Sequence, residues 1–301
     1  MREGLAREFP EAGRAASWAR GRVGGLRREP LLWAAISALG AGFLVSAVVQ
    51  AAIGLTYEAF LAVRSSPPFA LFPLVTITST AAAAAVALGV GGPGVLVTYI
   101  AYVGLDVALR LPAVMTFCER SGGVHPGGLT GLPGLDQCTA MGFLASLWPL
   151  FVGIGVGIAL ARAITTRGTG INSVLRIAGG FAVAQFVLSH VWTATAAQAG
   201  SALASGLTLA AVVATAAVGA GVIAAQLPRG VRAAAIVAVI WLLPWLAFQV
   251  PNAIRTAASS VPAEHVAAIL VGIFVQPIAG AALVLTAAIA ARSRFIPRDT
   301  G

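Results

Sequence analysis

Long apolar runs alternate along this chain with short clusters of glycine, proline and arginine. A helix needs about 20 mostly apolar residues to cross the hydrocarbon core of a bilayer. Eight runs of that kind are read from the sequence, near 31–54, 69–90, 95–117, 141–162, 174–197, 205–226, 233–250 and 266–290. Turn-forming residues fall between them: Ser65-Ser66-Pro67-Pro68, Gly91-Gly92-Pro93-Gly94, Thr166-Arg167-Gly168-Thr169-Gly170, Pro228-Arg229-Gly230 and Pro251-Asn252. Strands of a membrane barrel would alternate apolar and polar residues over about ten positions, and no segment does so. The expected fold class is an all-α integral membrane protein, a bundle of about eight transmembrane helices. Residues 31–291 form the transmembrane domain, preceded by a basic segment 1–30 and followed by a basic tail 292–301.

Composition narrows the class further. Of the 301 residues, 58% are hydrophobic and only 10% charged, and the mean hydropathy is +0.92. A soluble domain is nearer half apolar and a quarter charged, and must cover itself with polar groups. A disordered chain would be far less apolar.

The formal net charge is +9, and all 19 basic residues are arginine. A nucleic-acid surface would gather them in one patch beside stacking aromatics. Here they sit in short clusters between apolar runs, as orientation signals do, so no nucleic-acid partner is expected. With the N-terminus inside and eight spans, fifteen arginines fall on the inner side. The outer loops hold Arg64, Arg120 and Arg255, and Arg110 lies within a span. This asymmetry predicts that both termini are cytoplasmic. Exclusive use of arginine with abundant alanine, glycine and valine fits a GC-rich genome, so the expected location is the cytoplasmic membrane of such a bacterium. The first 30 residues read either as a basic lead that fixes orientation or as an amphipathic helix on anionic headgroups. A signal peptide is not expected, because the run after Pro30 exceeds an h-region.

Cys118 and Cys138 are the only cysteines. Both fall in the Gly-rich loop 118–140, which the arginines place outside, where disulfides persist. A bridge there would close a loop of about twenty residues, worth roughly 3 kcal/mol in the chain-entropy model. Catalytic pairs are usually Cys-X-X-Cys, and one nearby histidine does not complete a zinc set. No metal and no cofactor are expected.

Asp106 is the acidic residue placed deep within a span, and such groups are functional-site candidates by default. Arg110 lies four residues on, the spacing of an intrahelical ion pair. Two readings therefore stand side by side: a structural pair, or a site that holds a cation or carries a proton. His190 in the fifth span reads first as an interhelical hydrogen-bonding group. Gln276-Pro277 and Pro244 interrupt the last two spans, where freed carbonyls can line a path. Thr76, Thr78, Ser79 and Thr80 could line a polar path or bond back to their own helix. Trp33, Trp148 and Trp241 suit interfacial belts.

Glycines in several spans, notably Gly153 and Gly157, have the spacing of small-residue packing faces. Such faces could serve self-association or a protein partner. No phosphate-binding loop, paired aspartates or His-Glu-x-x-His motif appears, and one intramembrane histidine is too few for a haem bundle. The expected function is therefore a small-solute or ion transporter, with Asp106, Arg110, His190 and Gln276 as its candidate polar site. The alternatives are a non-catalytic membrane subunit or scaffold and, less favoured, a lipid-modifying enzyme, so enzymatic activity is left open with the balance against it.

Overall fold

A computed structural model describes residues 30–63, 71–120, 143, 145–163, 169–196, 202–258, 281–290 and 292. Among them there is no strand. The helices are α1 Pro30–Ala62, α2 Leu71–Gly91, α3 Pro93–Arg120, α4 Trp148–Leu160 with a 3-10 turn Ala161–Ala163, α5 Thr169–Ala196, α6 Ala202–Ala257, and a short α7 at Ala281–Ala290. Among the described residues four stretches are long and apolar enough to cross a membrane: Leu31–Leu61, Pro73–Gly91, Pro93–Pro112 and Gly230–Arg255. Their outward faces carry large apolar side chains such as Leu55, Val97, Leu105 and Val239. These apolar helices point to a lipid bilayer as the protein's surroundings.

Contacts between helices set their relative directions. Gly42 of α1 meets Ser79 and Ala83 of α2, while Gly91 at the far end of α2 faces Ala34 near the start of α1, so the two run antiparallel. Gly153 and Gly157 of α4 meet Thr80 and Ala84 of α2 in the same order, so that pair is parallel. In α5, Gly180 and Ala184 face Ile223 and Gly219 of α6, in antiparallel sense. Gly54 of α1 lies against Ala247 and Phe248 of α6, and Glu58 one turn on meets Arg255, so α1 and the second arm of α6 are parallel.

Two of the expected breaks act as turns. Gly92 takes φ of 73° between α2 and α3, a left-handed conformation that glycine adopts without steric cost. At Gly230 the backbone leaves helical geometry (φ −143°, ψ 33°), so α6 is two helical arms that meet at a kink. The break expected at Pro251-Asn252 does not occur. Helix α6 continues to Ala257, and the Asn252 side chain is held by Arg255 within it. A proline removes one ladder hydrogen bond, which membrane helices tolerate when neighbours compensate. The Ser65-to-Pro68 break, most of the loop 118–140, the first part of the expected last span and most of both terminal segments lie outside the described residues.

Glycine and alanine let the helices approach closely. A Cβ added at Gly40 would fall 2.7 Å from the Gly179 nitrogen and would strike the Leu175 carbonyl oxygen. One added at Gly179 would lie 2.6 Å from Ile36 Cγ2, and one at Gly157 2.6 Å from the Ala81 carbonyl oxygen. These seams supply the dispersion contacts that hold helices together where no water drives association. Helix α5 is central: Ile177, Ala178 and Phe181 are buried against Ala220, Ile223 and Val237 of α6 and Val284 of α7. Its Leu175 joins the second cluster with Ala38 of α1, Ala87 of α2 and Val95 of α3.

The tryptophans are a correction to the interfacial reading. Trp33 is buried, with the Arg176 guanidinium 5.1 Å from its ring centroid, and Trp241 packs 5.4 Å from Phe181. Both rings serve contacts between helices, since each meets a partner on α5.

Candidate functional site

Where α1, α2, α3 and α5 come together the seams give way to a polar cavity of about 500 Å³. Helix α3 contributes Tyr99, Tyr102, Asp106 and Arg110, steps of three, four and four that fall on one helical face. From α5 come Gln185, Phe186 and Ser189, from α1 Phe43 and Ser46, and from α2 Ser79. Most other side chains in these helices are apolar, so the stripe on α3 and its counterpart on α5 set polar groups around an open cleft in a hydrophobic bundle.

Asp106 lies at the centre of the charged groups. Arg110 Nε donates to Asp106 Oδ1 at 2.9 Å, one helical turn away. His190 of α5 places Nε2 3.2 Å from the same oxygen. Nε2 is buried and makes no aligned hydrogen bond, so its approach to Asp106 is a close polar contact only. The other ring nitrogen, Nδ1, donates to the Phe186 carbonyl oxygen at 2.8 Å, because a carbonyl can only accept. Exposure falls from 59% at Arg110 to 24% at Asp106 and 15% at His190, so the cluster runs from a wet cation to an enclosed imidazole. Its wall is aromatic: Phe186 lies 4.2 Å from the His190 ring and 4.9 Å from Tyr102.

Of the sequence candidates, Asp106, Arg110 and His190 meet here. Gln276 lies outside the described residues, as does the proposed bridge between Cys118 and Cys138. Pro244 sits within α6, which runs on through it. In the hydroxyl run of α2, Thr78 bonds back to the Leu74 carbonyl at 2.6 Å and Ser79 to that of Thr76 at 3.2 Å, with Ser79 also reaching the cavity. Thr80 is buried and hydrogen-bonds the Tyr99 side chain.

Sequence reasoning missed Tyr99, Tyr102, Gln185 and Ser189. Their signal was available as polar residues recurring at helical spacing on two otherwise apolar helices.

A serine, a histidine and an aspartate in proximity invite comparison with a hydrolytic triad. Ser189 Oγ lies 3.5 Å from His190 Nδ1. That nitrogen, however, already donates to Phe186, and the Ser189 hydroxyl donates to the same carbonyl at 3.0 Å. No base is therefore directed at the serine, which a nucleophile would require. The arrangement suits reversible binding and proton exchange better than covalent chemistry. No family model, curated protein or solved structure matches this chain.

Proposed function

We propose that this protein is a multi-pass permease of the cytoplasmic membrane that moves a small solute or ion through the cavity around Asp106. The observation that carries this reading is the polar cleft of about 500 Å³ lined by the Asp106 carboxylate and the Arg110 guanidinium of one apolar helix, with the His190 imidazole of a second beside that carboxylate. Ionisable groups are expensive in a bilayer interior and belong to substrate and proton paths in pumps and transporters. A volume of this size suits a small organic molecule.

The transporter carries eight spans with both termini cytoplasmic, and a Cys118–Cys138 bridge staples its outer loop. A membrane-impermeant maleimide should label that loop in intact cells only after reduction, and labelling without reductant would sink the bridge. The alternative of a scaffold subunit drew on small-residue faces awaiting a partner. The Gly153–Gly157 face is filled by α2 of the same chain, and Gly40 and Gly179 fill one another's space, which favours the permease.

The test is reconstitution into proteoliposomes on a solid-supported membrane, with a panel of small cations, anions, amino acids and sugars. One solute class should give a transient current that Asp106→Asn abolishes without changing the elution profile. Absence of current for every class, with a stoichiometric protein companion in native mass spectrometry, would replace the permease with the subunit reading.

A further inference from the structure

The two nitrogens of His190 both lie near acceptors. Nδ1 donates to the Phe186 carbonyl oxygen, 2.8 Å away, and the buried Nε2, which makes no aligned hydrogen bond, lies 3.2 Å from Asp106 Oδ1. A neutral imidazole carries one N–H, and here the carbonyl uses it. The Nε2–carboxylate contact then needs a second proton, held either on the ring or on the acid. Without it, a nitrogen lone pair and a carboxylate oxygen would confront one another in a low-dielectric site, where unpaired polar groups are costly.

We propose that Asp106 and His190 together hold one exchangeable proton, and that this proton is the ion coupled to movement through the cavity; the coupling rests on the transport reading above. The step is H⁺ binding and release by the pair, with no bond to any other atom made or broken.

The remaining groups around the cavity agree with that assignment. From α3 the titratable groups are Tyr99, Tyr102, Asp106 and Arg110, and from α5 His190. The polar residues contributed by α1 and α2 are Ser46 and Ser79, neither of which is charged. A hard metal cation would need six or more oxygen ligands. It would also have to bind a carboxylate whose Oδ1 already faces two nitrogens, 2.9 Å from a guanidinium that never deprotonates. Among the described residues no three His, Cys, Asp or Glu side chains gather as a metal set. A proton needs only the two groups present.

Loss of the proton turns attraction between α3 and α5 into repulsion at this level. Beyond the Tyr102–Phe186 ring contact α3 is mostly unpacked: 11% of its apolar window within Pro93–Pro112 is buried, and the helix begins just after the left-handed Gly92. Proton release thus loosens the wall that α3 forms, while protonation holds it against α5.

Two measurements separate the proton site from the coupling. The first is nitrogen NMR of 15N-histidine-labelled full chain in lipid nanodiscs. The chain has three histidines, and the His190 signals are those lost in His190→Gln. The expected result is a pair that carries the extra proton at low pH and releases it in one step, with the ring fixed as neutral Nδ1–H in Asp106→Asn. A neutral ring beside an ionised Asp106 from about pH 5 to 8, the window in which histidine ordinarily titrates, would overturn the proton site. The second uses proteoliposomes with a trapped pH dye, so that the proton is the probe. Addition of the solute class that gives the current should acidify the wild-type lumen, and should not acidify that of Asp106→Asn or His190→Gln. Solute movement driven by a sodium gradient with no lumenal acidification would overturn the coupling. Wild-type liposomes that move no solute would remove the transport reading and the coupling with it, leaving the proton site to be decided by the NMR result.

Discussion

Two acid–arginine contacts in this molecule use the same chemistry to different ends. At one, Arg255 of α6 grips Glu58 of α1 with both guanidinium nitrogens, one bond spanning 3.0 Å, and Asn252 takes part from the same helix. One cation meets one carboxylate in a bidentate fork, the strong geometry for such a pair. The helices beneath are close-packed, with Gly54 against Ala247 and Phe248. At the other, Arg110 reaches Asp106 through one nitrogen, His190 Nε2 lies 3.2 Å from the same oxygen, and the Asp106–Arg110 pair borders a cavity. The first pair is complete in itself and fastens two helices. The second is shared among three side chains, and its composition can change by one proton. Ion pairs are therefore distinguished here by what surrounds them, since both join acidic and basic groups on apolar helices.

The largest effect expected from breaking this contrast is on transport. Asp106→Asn should abolish the solute-dependent current, because it removes the charge and fixes the site in one protonation state. His190→Gln should do the same for gradient-driven accumulation. Both should leave the elution profile and unfolding temperature in detergent close to wild type, since α3 is also held near its start by Val95 in the α1–α2–α5 cluster. A fall in folded protein parallel to the fall in flux would assign the cluster to structure.

The close-packed side should respond in the opposite sense. Gly179→Ala places a methyl against Ile36, 2.6 Å from Cγ2 and closer still to the carbonyl oxygen. Overpacking of that kind costs about 1–3 kcal/mol, read as a lower unfolding temperature in detergent. Gly155→Ala is the control: nothing lies within 4 Å of its added Cβ, and alanine favours a helix over glycine by up to about 1 kcal/mol. It should be neutral or mildly stabilising. Equal destabilisation by the two would mean that the seams do not have the geometry described.

The helices were largely legible because span-length apolar runs and turn residues are local features. Gly92 breaks the chain as its neighbours Gly91, Pro93 and Gly94 indicate, and Gly153–Gly157 packs as its spacing predicts. Pro251 misled because its tolerance depends on distant groups: the ladder continues past it where Arg255 donates both to Asn252 and to Glu58, nearly two hundred positions earlier in the chain. The same limit applies to the site. Asp106 with Arg110 is an i,i+4 relation visible in the sequence, whereas His190 meets Asp106 only through the register of α5 on α3. At a different level of the bundle, Leu175 of α5 and Val95 of α3 share the apolar cluster with α1 and α2. What could have been read is the face itself, Tyr99-Tyr102-Asp106-Arg110 on one helix and Gln185-Ser189-His190 on another.

The smallest effect separates the two arginines most directly. Arg255 is 47% exposed and Glu58 16%, so solvent screens the pair, and contacts of this type contribute about 0.2–1 kcal/mol. Glu58→Arg alone sets two guanidinium groups against each other and should lower the unfolding temperature by a few degrees. Adding Arg255→Glu restores opposite charges across the same gap and should recover most of that loss, giving a double-mutant cycle with positive coupling. The matching exchange of Asp106 and Arg110 should behave differently. It restores an ion pair along α3 and hence helix stability, but puts a guanidinium where the His190 Nε2 needs an acceptor. Flux should stay absent although the fold recovers. If that exchange rescued transport as well, Asp106 would need only a nearby countercharge, and the distinction between a closed fastening and a shared proton site would fail.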